Sequence, residues 1–245
     1  MADFKLTSEY KPLGDQPKAI QKIVNNLNNN CRDQVLLGIT GSGKTFTIAN
    51  VIQKVQRPTL ILSHNKTLAA QLYGEFKSLF PNNAVEYFIS YYDYYQPEAY
   101  LPGTDTYIEK DSSINAEIDK LRIKSSTSLM SRKDVIVIAS VSCIYGVGSP
   151  VEYADLLITV KKSQEIPPKE LFKSLINIHY LRNDMVLDAG IFRVRGDIVD
   201  IFPIYDEYPV RLEFFGDEIE KISIFNLMTG EIIREVNEIT FYPCK

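Results

Sequence analysis

The sequence contains no tryptophan, two histidines and three cysteines among its 245 residues. The cysteines, Cys31, Cys143 and Cys244, are odd in number and far apart, which excludes the disulfide framework of a small secreted domain. Because histidines are few and no two cysteines are close together, the ligand spacing of a zinc site is also missing. The cysteines are therefore interpreted as buried or incidental thiols.

Long apolar runs are absent as well. No run reaches the roughly 18 apolar residues of a membrane-spanning helix, and the N-terminal stretch MADFKLTSEYKPLGDQ has neither an apolar leader core nor an arginine-rich amphipathic pattern. These absences predict a cytoplasmic protein that does not contact a membrane. The 45% hydrophobic content is enough for one large or two ordinary domains.

The sequence carries no basic excess. Its net charge of -4 argues against binding of nucleic acid by bulk electrostatics. The acidic excess is confined to residues 151–245, whereas residues 1–150 contain slightly more basic than acidic residues. A nucleic-acid site is therefore expected in the first part of the chain.

Strand and helix patterns alternate over the first 150 residues. The apolar run at 34–39 ends in a glycine-rich turn, and residues 44–55 follow without Pro or Gly, which predicts a strand, a loop and a helix. Further strands are predicted at 59–63, 84–88 and 134–139, and further helices at 65–80 and 112–131. This alternation predicts an α/β domain with a parallel sheet over residues 1–150.

A tyrosine-rich stretch, ISYYDYYQPEAY, interrupts the alternation with four tyrosines between Tyr91 and Tyr95. In a single strand, the first and last of these tyrosines would share one face and the middle two would share the other. Aromatic residues on both faces do not fit a one-sided core strand. Together with the Pro-Gly turn at 102–103, the stretch predicts a projecting hairpin over about residues 90–110; an aromatic protein–protein contact is the alternative.

The second part, residues 151–245, has a different pattern. Strand-like alternations occur in pairs, at 191–195 with 198–202 and at 210–215 with 218–225, and the segment 168–180 has a helical pattern. The pairs predict a smaller α+β domain with an antiparallel sheet.

The segment GITGSGKT, Gly38 to Thr45, satisfies the phosphate-binding loop pattern G-x-x-x-x-G-K-[ST] in full. Its glycines allow backbone N–H groups to curl around phosphates, Lys44 would reach the β and γ oxygens, and the Thr45 hydroxyl would ligate Mg²⁺. Hydrolysis also requires a second acid to hold the metal ion or its water. No apolar strand of the first domain ends in Asp-Glu, so the sequence predicts ATP binding without a complete hydrolytic site.

Two segments near this loop are candidates for nucleotide or phosphate contacts. Gln16 precedes a helix, and its amide is able to donate and accept toward an adenine edge; a solvated helix start is the alternative. The segment at 63–67, SHNKT, follows a predicted parallel strand, at the edge where such sheets bind ligands. Its Lys and hydroxyl groups suit phosphate, although an ordinary polar loop remains the alternative.

In the second domain, Arg193 and Arg195 are expected on one face of a strand, with Gly196 and Asp197 as the turn that follows. Such a face fits either a solvated sheet surface or a docking site for acidic groups.

Several of these strings together resemble the UvrB family of bacterial excision-repair proteins, over residues 4–242. The strings are YKPLGDQPKAI, GITGSGKT, SHNKTLAAQLY, YYDYYQPEAY, SSINAEIDKLR, DVIVIASVSCIYG and FRVRGDIVDIFP. The resemblance implies a RecA-like motor domain, a hairpin that clamps DNA to verify damage, and a second domain that docks on the ATPase UvrA. For the full-length protein it also implies UvrC as a partner.

By motif match, the resemblance assigns roles to individual residues. Gln16 would contact adenine, and Tyr91, Tyr92, Tyr94 and Tyr95 would contact DNA. The ATP phosphates and Mg²⁺ would be held by Gly38, Thr40, Gly41, Ser42, Gly43, Lys44 and Thr45. UvrA would be bound by Arg182, Arg193, Arg195, Arg211 and Glu213.

The sequence departs from the family pattern at Asp188 and Ala189, where the family usually carries a basic residue before Gly190. The family's acidic metal box and its second motor domain, with an arginine finger, have no counterpart in this sequence. We therefore expect binding of nucleotide without useful turnover by this chain alone.

Two other functions are alternatives. The chain would be a non-catalytic adaptor if only its second domain were active, as in the transcription-repair coupling factor, which it also resembles there; the intact Lys44 loop and the tyrosines argue against this. It would be a small nucleotide kinase if residues 46–150 held an acceptor-binding arginine cluster and a lid, and no such pattern is found there.

Overall fold

The computed structural model describes residues 3–90, 92–96, 99–101, 106–108, 111–144 and 150–244. The chain divides into two compact units, Met1–Gly146 and Val147–Lys245. Each unit has its own hydrophobic core.

The first unit contains four helices and seven strands among its described residues. The helices are α1 (Gln16–Asn28), α2 (Lys44–Val55), α3 (Lys66–Leu79) and α4 (Ala116–Ser131). The strands are β1 (Thr59–Ser63), β2 (Ala84–Phe88), β3 (Tyr92–Gln96), β4 (Ala99–Leu101), β5 (Thr106–Ile108), β6 (Asp111–Ile114) and β7 (Val135–Ser140). A short 3₁₀ helix, Val141–Ile144, follows β7.

A parallel sheet in the order β1-β7-β2 forms the centre of this unit. Every residue of β7 is buried, as expected for a Val/Ile-rich strand covered on both faces. Phe76 and Phe80 pack with Ile136 and Ile138 in the core on one side. The predicted parallel strands at 59–63, 84–88 and 134–139 are thereby confirmed.

The predicted strand at 34–39 is wrong, because this segment belongs to no strand. Val35, Leu37 and Ile39 are 84%, 88% and 82% exposed. The β1 edge of the sheet is also open, since β1 pairs only with β7 in the described part of the chain, and Leu60 and Leu62 are largely exposed. An apolar run becomes a strand only where another strand offers its backbone groups, and no strand of the described residues pairs with this run.

The tyrosine stretch forms antiparallel strand pairs, which confirms the inserted hairpin. β3 pairs with β6, with Tyr92 opposite Ile114 and Tyr95 opposite Ser112, and β4 pairs with β5. The register shifts between Tyr92 and Tyr94, so the regular two-residue pairing expected for one strand is interrupted there.

The helix predicted from residue 112 begins later than expected. Residues 111–114 pair with the tyrosine strand, and the Asn115 side chain accepts hydrogen bonds from the backbone N–H groups of Glu117 and Ile118 at 2.9 and 3.2 Å. This N-cap fixes the start of α4 at Ala116. The hairpin therefore extends to Ile114, beyond the predicted limit near residue 110.

The second unit contains a six-stranded sheet and a separate strand pair. Its helices are α5 (Pro150–Asp155) and α6 (Pro168–Asn177). Its strands are β8 (Ile158–Lys161), β9 (Leu181–Arg182), β10 (Ile191–Arg195), β11 (Ile198–Phe202), β12 (Val210–Phe215), β13 (Glu218–Phe225), β14 (Ile232–Glu235) and β15 (Glu238–Phe241).

The large sheet has the order β14-β13-β12-β11-β10-β9, and all its neighbours are antiparallel except β9 and β10. The strand β8 pairs with β15. From α6, Leu171 and Leu175 pack on the apolar face of the sheet with Phe192, Ile201 and Leu212. The predicted antiparallel α+β character is confirmed, whereas the short helix α5 was not predicted.

A buried polar cluster joins three segments of the first unit. Asp134, 3% exposed, accepts hydrogen bonds from the Arg132 guanidinium and from Asn83 Nδ2, the latter at 2.8 Å. Asn83 also donates to the carbonyl oxygen of Asp3 and accepts from the backbone N–H of Lys5. The N-terminal segment is thereby tied to the beginnings of β2 and β7.

Replacing Asp134 with Asn should lower the free energy of unfolding at neutral pH by about 1.5–3 kcal/mol, the range for hydrogen bonds to charged groups. Burial alone would raise the pKa of Asp134, but the hydrogen bonds from Arg132 and Asn83 outweigh it and hold the pKa below its ordinary value. The stabilisation is therefore present above the ordinary carboxyl pKa and is lost as the pH falls through the lower, folded-state pKa.

Urea unfolding over a pH series measures this effect, with the exposed Asp33→Asn as the control. The difference between wild type and Asp134→Asn should shrink in acid, and a loss that does not change with pH would contradict the ionic origin of the stabilisation.

Candidate functional site

The phosphate-binding loop is shaped by two glycines with left-handed backbone angles. Gly41 has a φ of 79° and Gly43, at the N-cap of α2, has a φ of 73°. A Cβ atom at Gly43 would lie 2.5 Å from Nε2 of Gln16, whereas a Cβ at Gly41 would meet nothing within 4 Å. Gly43 is therefore required by its backbone angle, and a Cβ atom there would also force the flexible end of the Gln16 side chain to move.

Lys44 lies at the first position of α2 and folds back over the loop. Its Nζ donates to the carbonyl oxygens of Gly38 and Ile39, at 2.9 and 2.8 Å. The ammonium group and the first N–H groups of α2 are thus gathered at one loop, which favours an anionic ligand. Phosphate oxygens are stronger acceptors for this ammonium than the two neutral carbonyls.

Gln16 joins the start of α1 to the same loop. Its Nε2 donates to the carbonyl oxygen of Ser42 at 3.0 Å, and its Oε1 accepts from the backbone N–H of Leu13 at 3.2 Å. The amide is therefore held beside the loop, and it retains one N–H and one lone pair for a further partner. This placement brings together Gln16 and the loop residues, as the sequence predicted.

A cavity of about 890 Å³ lies beside the loop. Tyr10, Leu13 and Gln16 line one side, and Lys44 and Thr45 line another. Its volume lies within the range of about 300–1,000 Å³ that is typical of small-ligand sites. The loop thus opens onto a space of the size that a nucleotide needs.

Sequence reasoning did not find the third wall of this cavity, which α3 forms with Gln71 and Glu75. These two side chains are joined by a hydrogen bond of 2.9 Å. The N-terminal segment reaches α3 through a hydrogen bond of 2.8 Å from the N–H of Thr7 to the carbonyl oxygen of Leu79. Because Thr7 and Leu79 are far apart in the sequence, helical periodicity alone does not indicate that α3 lines this cavity.

Two of the three parallel strands, β1 and β7, end in a residue with a hydroxyl group. Ser63 at the end of β1 lies opposite Ser140 at the end of β7. Beyond β1, the Asn65 side chain accepts from the N–H of Leu68 at 2.7 Å and caps α3, so part of the predicted phosphate segment has a structural role. Within the described ranges, no group of three or more His, Cys, Asp or Glu side chains is arranged to hold a metal ion.

The predicted DNA-binding tyrosines are only partly within the described residues. Tyr92, Tyr94 and Tyr95 lie in β3, and Tyr91 lies outside the described residues. At the root of the hairpin, Arg122 of α4 donates to the carbonyl oxygen of Ile89 at 2.7 Å. Its guanidinium also lies 4.0 Å from the centre of the Phe88 ring. Arg122 was not predicted, since its contacts depend on the fold.

In the second unit, the predicted docking residues share the sheet face opposite α6, with one at its edge. Arg193, Arg195, Arg211 and Glu213 alternate along their strands with core residues, as expected for one face. Arg182 lies on the edge strand β9 and pairs with Asp184 at 2.9 Å. The turn between β10 and β11 has Gly196 at a φ of 61°.

A carboxylate that sequence reasoning missed lies between two of these arginines. Asp200 is 2% exposed and forms ion pairs with Arg193 at 2.8 Å and with Arg211 at 2.7 Å. The Arg211 guanidinium also lies 4.5 Å from the centre of the Phe225 ring. The pairing register of the strands is the signal that would have identified Asp200, because it lies opposite both arginines.

Across the described ranges, no helix combines the length and apolar character that a membrane span requires.

Replacing Gly43 with Ala should lower the free energy of unfolding more than replacing Gly41 with Ala. A left-handed backbone costs a residue with a Cβ about 1–2 kcal/mol at either position. At Gly43 the added methyl also collides with the Gln16 amide. Urea unfolding of the two variants measures the difference.

The collision gives a specific control. Adding Gln16→Ala to Gly43→Ala should recover part of the excess loss, whereas adding it to Gly41→Ala should not. Equal losses at the two glycines, with no recovery, would show that Gln16 does not press on the loop.

Known protein families match both parts of the chain. The family described as "Type III restriction enzyme, res subunit" matches residues 9–139, and the family described as "UvrB interaction domain" matches residues 158–245. The chain is 58% identical to UvrABC system protein B of Methanococcoides burtonii over 248 residues, covering 100% of this chain and 38% of that protein. It is 59% identical to UvrABC system protein B of Staphylococcus saprophyticus over 241 residues, covering 98% of this chain and 36% of that protein.

These matches agree with the two units of the structure. The chain spans little more than a third of the length of the relatives it matches. The family resemblance inferred from the sequence strings is confirmed by the identity along the chain. The chain therefore belongs to the UvrB family.

Proposed function

We propose that this chain is the part of a nucleotide excision repair protein that binds ATP, holds DNA and docks on UvrA. The observation that carries the proposal is the glycine-shaped loop with Lys44 and Gln16 beside a cavity of nucleotide size. Membership in the UvrB family supports the repair function.

ATP with Mg²⁺ is the proposed ligand of the loop. Lys44 would exchange the carbonyl oxygens of Gly38 and Ile39 for β and γ phosphate oxygens, and Thr45 would ligate the magnesium ion. Gln16 would use its remaining N–H and lone pair toward adenine. The remaining loop contacts to phosphate would come from Gly38, Thr40, Gly41, Ser42 and Gly43.

The acid required for hydrolysis would come from the full-length protein. In the described part of the chain, the parallel strands β1 and β7 end in serine and β2 ends in Phe88, while the edge of β1 and the run at 34–39 remain unpaired. A further strand from the remainder of the protein would cover both and place a carboxylate near Thr45. Lys44 and Thr45 would then take part in ATP hydrolysis in the full-length protein.

DNA is the proposed ligand of the hairpin. Tyr91, Tyr92, Tyr94 and Tyr95 would stack on bases, an interaction worth roughly 1–3 kcal/mol per base that tolerates any sequence. Such tolerance suits the inspection of damaged DNA. The hairpin follows β2 at the carboxyl edge of the sheet, the edge where parallel sheets bind their ligands.

UvrA is the proposed partner of the second unit, which matches the UvrB interaction domain. The proposed contact residues are Arg182, Arg193, Arg195, Arg211 and Glu213. UvrC would be a partner of the full-length protein.

Replacing Lys44 with Ala in the full-length protein should weaken ATP binding by roughly ten- to a hundredfold, because charged hydrogen bonds to phosphate are lost. ATP-dependent loading onto damaged DNA in the presence of UvrA should be lost with it. Titration with a fluorescent ATP analogue and a gel-shift assay measure the two effects.

Lys54→Ala is the matched control, because Lys54 is an exposed lysine in the last turn of the same helix. It should bind ATP and load normally. Unchanged ATP affinity in Lys44→Ala would refute the nucleotide site.

The hairpin is tested by replacing its tyrosines with Ala one at a time in the full-length protein, at Tyr91, Tyr92, Tyr94 and Tyr95. At least one of the four variants should bind DNA roughly fivefold to a hundredfold more weakly, as expected for a lost stacking contact. Tyr208→Ala, at a partly exposed tyrosine of the second unit, is the control and should bind DNA normally. If all four hairpin variants bind DNA like the control, the hairpin is better explained as an aromatic protein contact.

A further inference from the structure

The charged face of the six-stranded sheet consists of two neighbouring rows. In the first row, Asp200 lies opposite Arg193 on one side and opposite Arg211 on the other. In the second row, Ile198 lies opposite Arg195 on one side and opposite Glu213 on the other. The first row has an acid between two arginines, whereas the second has an apolar residue between an arginine and an acid.

In the first row, the charged side chains pair with one another. Asp200 Oδ2 accepts a hydrogen bond from Arg193 Nε at 2.9 Å, and Arg193 Nη2 lies 2.8 Å from the same oxygen in an ion pair. Arg211 donates through Nε to Oδ1 at 2.7 Å and through Nη2 to Oδ2 at 3.2 Å. The side chains of Arg193, Arg211 and Asp200 are only 15%, 24% and 2% exposed.

This pairing keeps both guanidinium groups in place. Arg193 donates one hydrogen bond to the buried carboxylate and forms an ion pair with it, Arg211 donates two hydrogen bonds, and Arg211 is also held from another side by the Phe225 ring. A guanidinium fixed in this way loses little conformational freedom when a partner binds. Two positive charges on one carboxylate also leave the row with a net positive charge.

The second row is open. Arg195 is exposed and Glu213 is partly exposed, and neither belongs to a salt bridge among the described residues. Lys221, opposite Glu213, pairs instead with Glu235 at 2.8 Å. Because Arg195 and Glu213 are separated by two strand spacings, their backbones lie about 10 Å apart.

We propose that Asp200 is the positioning residue of the docking face: it fixes Arg193 and Arg211 as a rigid positive support, while Arg195 and Glu213 make the exchangeable contacts. This inference rests on the proposed docking of the second unit on UvrA. The complementary surface of UvrA then carries an acidic group opposite Arg195 and a basic group opposite Glu213.

The predicted contact residues differ in what their replacement changes. Replacing Arg195 removes a contact with the partner and leaves the sheet unchanged. Replacing Arg193 or Arg211 leaves Asp200 with an uncompensated buried charge, so it disturbs the sheet as well as the contact. A charge reversal at Arg193 is therefore not a clean test of docking.

The experiment measures UvrA affinity and urea unfolding for variants of the full-length protein. Arg195→Gln and Glu213→Gln should each weaken UvrA binding by about tenfold or more, with unchanged unfolding. Arg211→Lys keeps the charge but loses the flat, two-bond geometry, and it should fold and bind UvrA about tenfold more weakly. Glu238→Gln, in the exposed ion pair with Lys161, is the control and should match wild type in both measurements.

A double-mutant cycle distinguishes the positioning of the arginines by Asp200 from a simple loss of protein stability. Asp200→Asn should weaken UvrA binding in protein that remains folded, and Asp200→Glu should restore part of the affinity. Adding Arg193→Gln to Asp200→Asn should cause little further loss, because the support is already released. If Asp200→Asn is too unstable to measure, the Arg211→Lys variant tests the same support.

The outcomes distinguish this inference from the proposal on which it rests. Wild-type affinity in both Arg195→Gln and Glu213→Gln would overturn docking through this face. Weakened binding in those two variants, with wild-type affinity in Asp200→Asn and Arg211→Lys, would overturn only the positioning role of Asp200. Additive losses from Asp200→Asn and Arg193→Gln would overturn it as well.

Discussion

The burial of β7 between β1 and β2 is the constraint on which the first unit depends. A strand that is apolar on both faces needs a hydrogen-bonded neighbour on each side and packed layers above and below. Parallel pairing then brings the carboxyl ends of the three strands to one edge of the sheet. The segment at 63–67 and the root of the tyrosine hairpin both lie at that edge as a consequence.

The phosphate-binding loop is ready for an anion because its polar groups are already gathered. Lys44 is held by two carbonyl oxygens of the loop, and Gln16 is held by a third, so no large rearrangement is needed to bring them together. Binding of a nucleotide, as proposed, would replace neutral acceptors of the Lys44 ammonium with charged ones, which would make the exchange favourable. The same arrangement does not supply the acid for hydrolysis.

In the second unit, a buried carboxylate organises a positive surface. Asp200 is stable in the sheet because Arg193 and Arg211 satisfy both of its oxygens. The arginines are in turn immobilised by the carboxylate, so structure and proposed recognition depend on the same three side chains. This explains how a domain with an acidic net composition presents a positive row to a partner.

Local patterns determined much of the structure from the sequence alone. Residues 44–55, 84–88 and 191–202 form the predicted elements, because glycine turns, apolar runs and two-residue alternation act over short distances. The loop from Gly38 to Thr45 was found for the same reason, since its chemistry lies in consecutive residues. The family resemblance also rested on such contiguous strings.

Tertiary structure decided those features that depend on residues elsewhere in the chain. The run at 34–39 is apolar enough for a strand but has no strand beside it, and residues 111–114 form a strand because the tyrosine segment pairs with them. Asp200 acquires its role only when strand register places it between two arginines. These features depend on strands that lie elsewhere in the chain, and for that reason the local patterns of the sequence did not predict them.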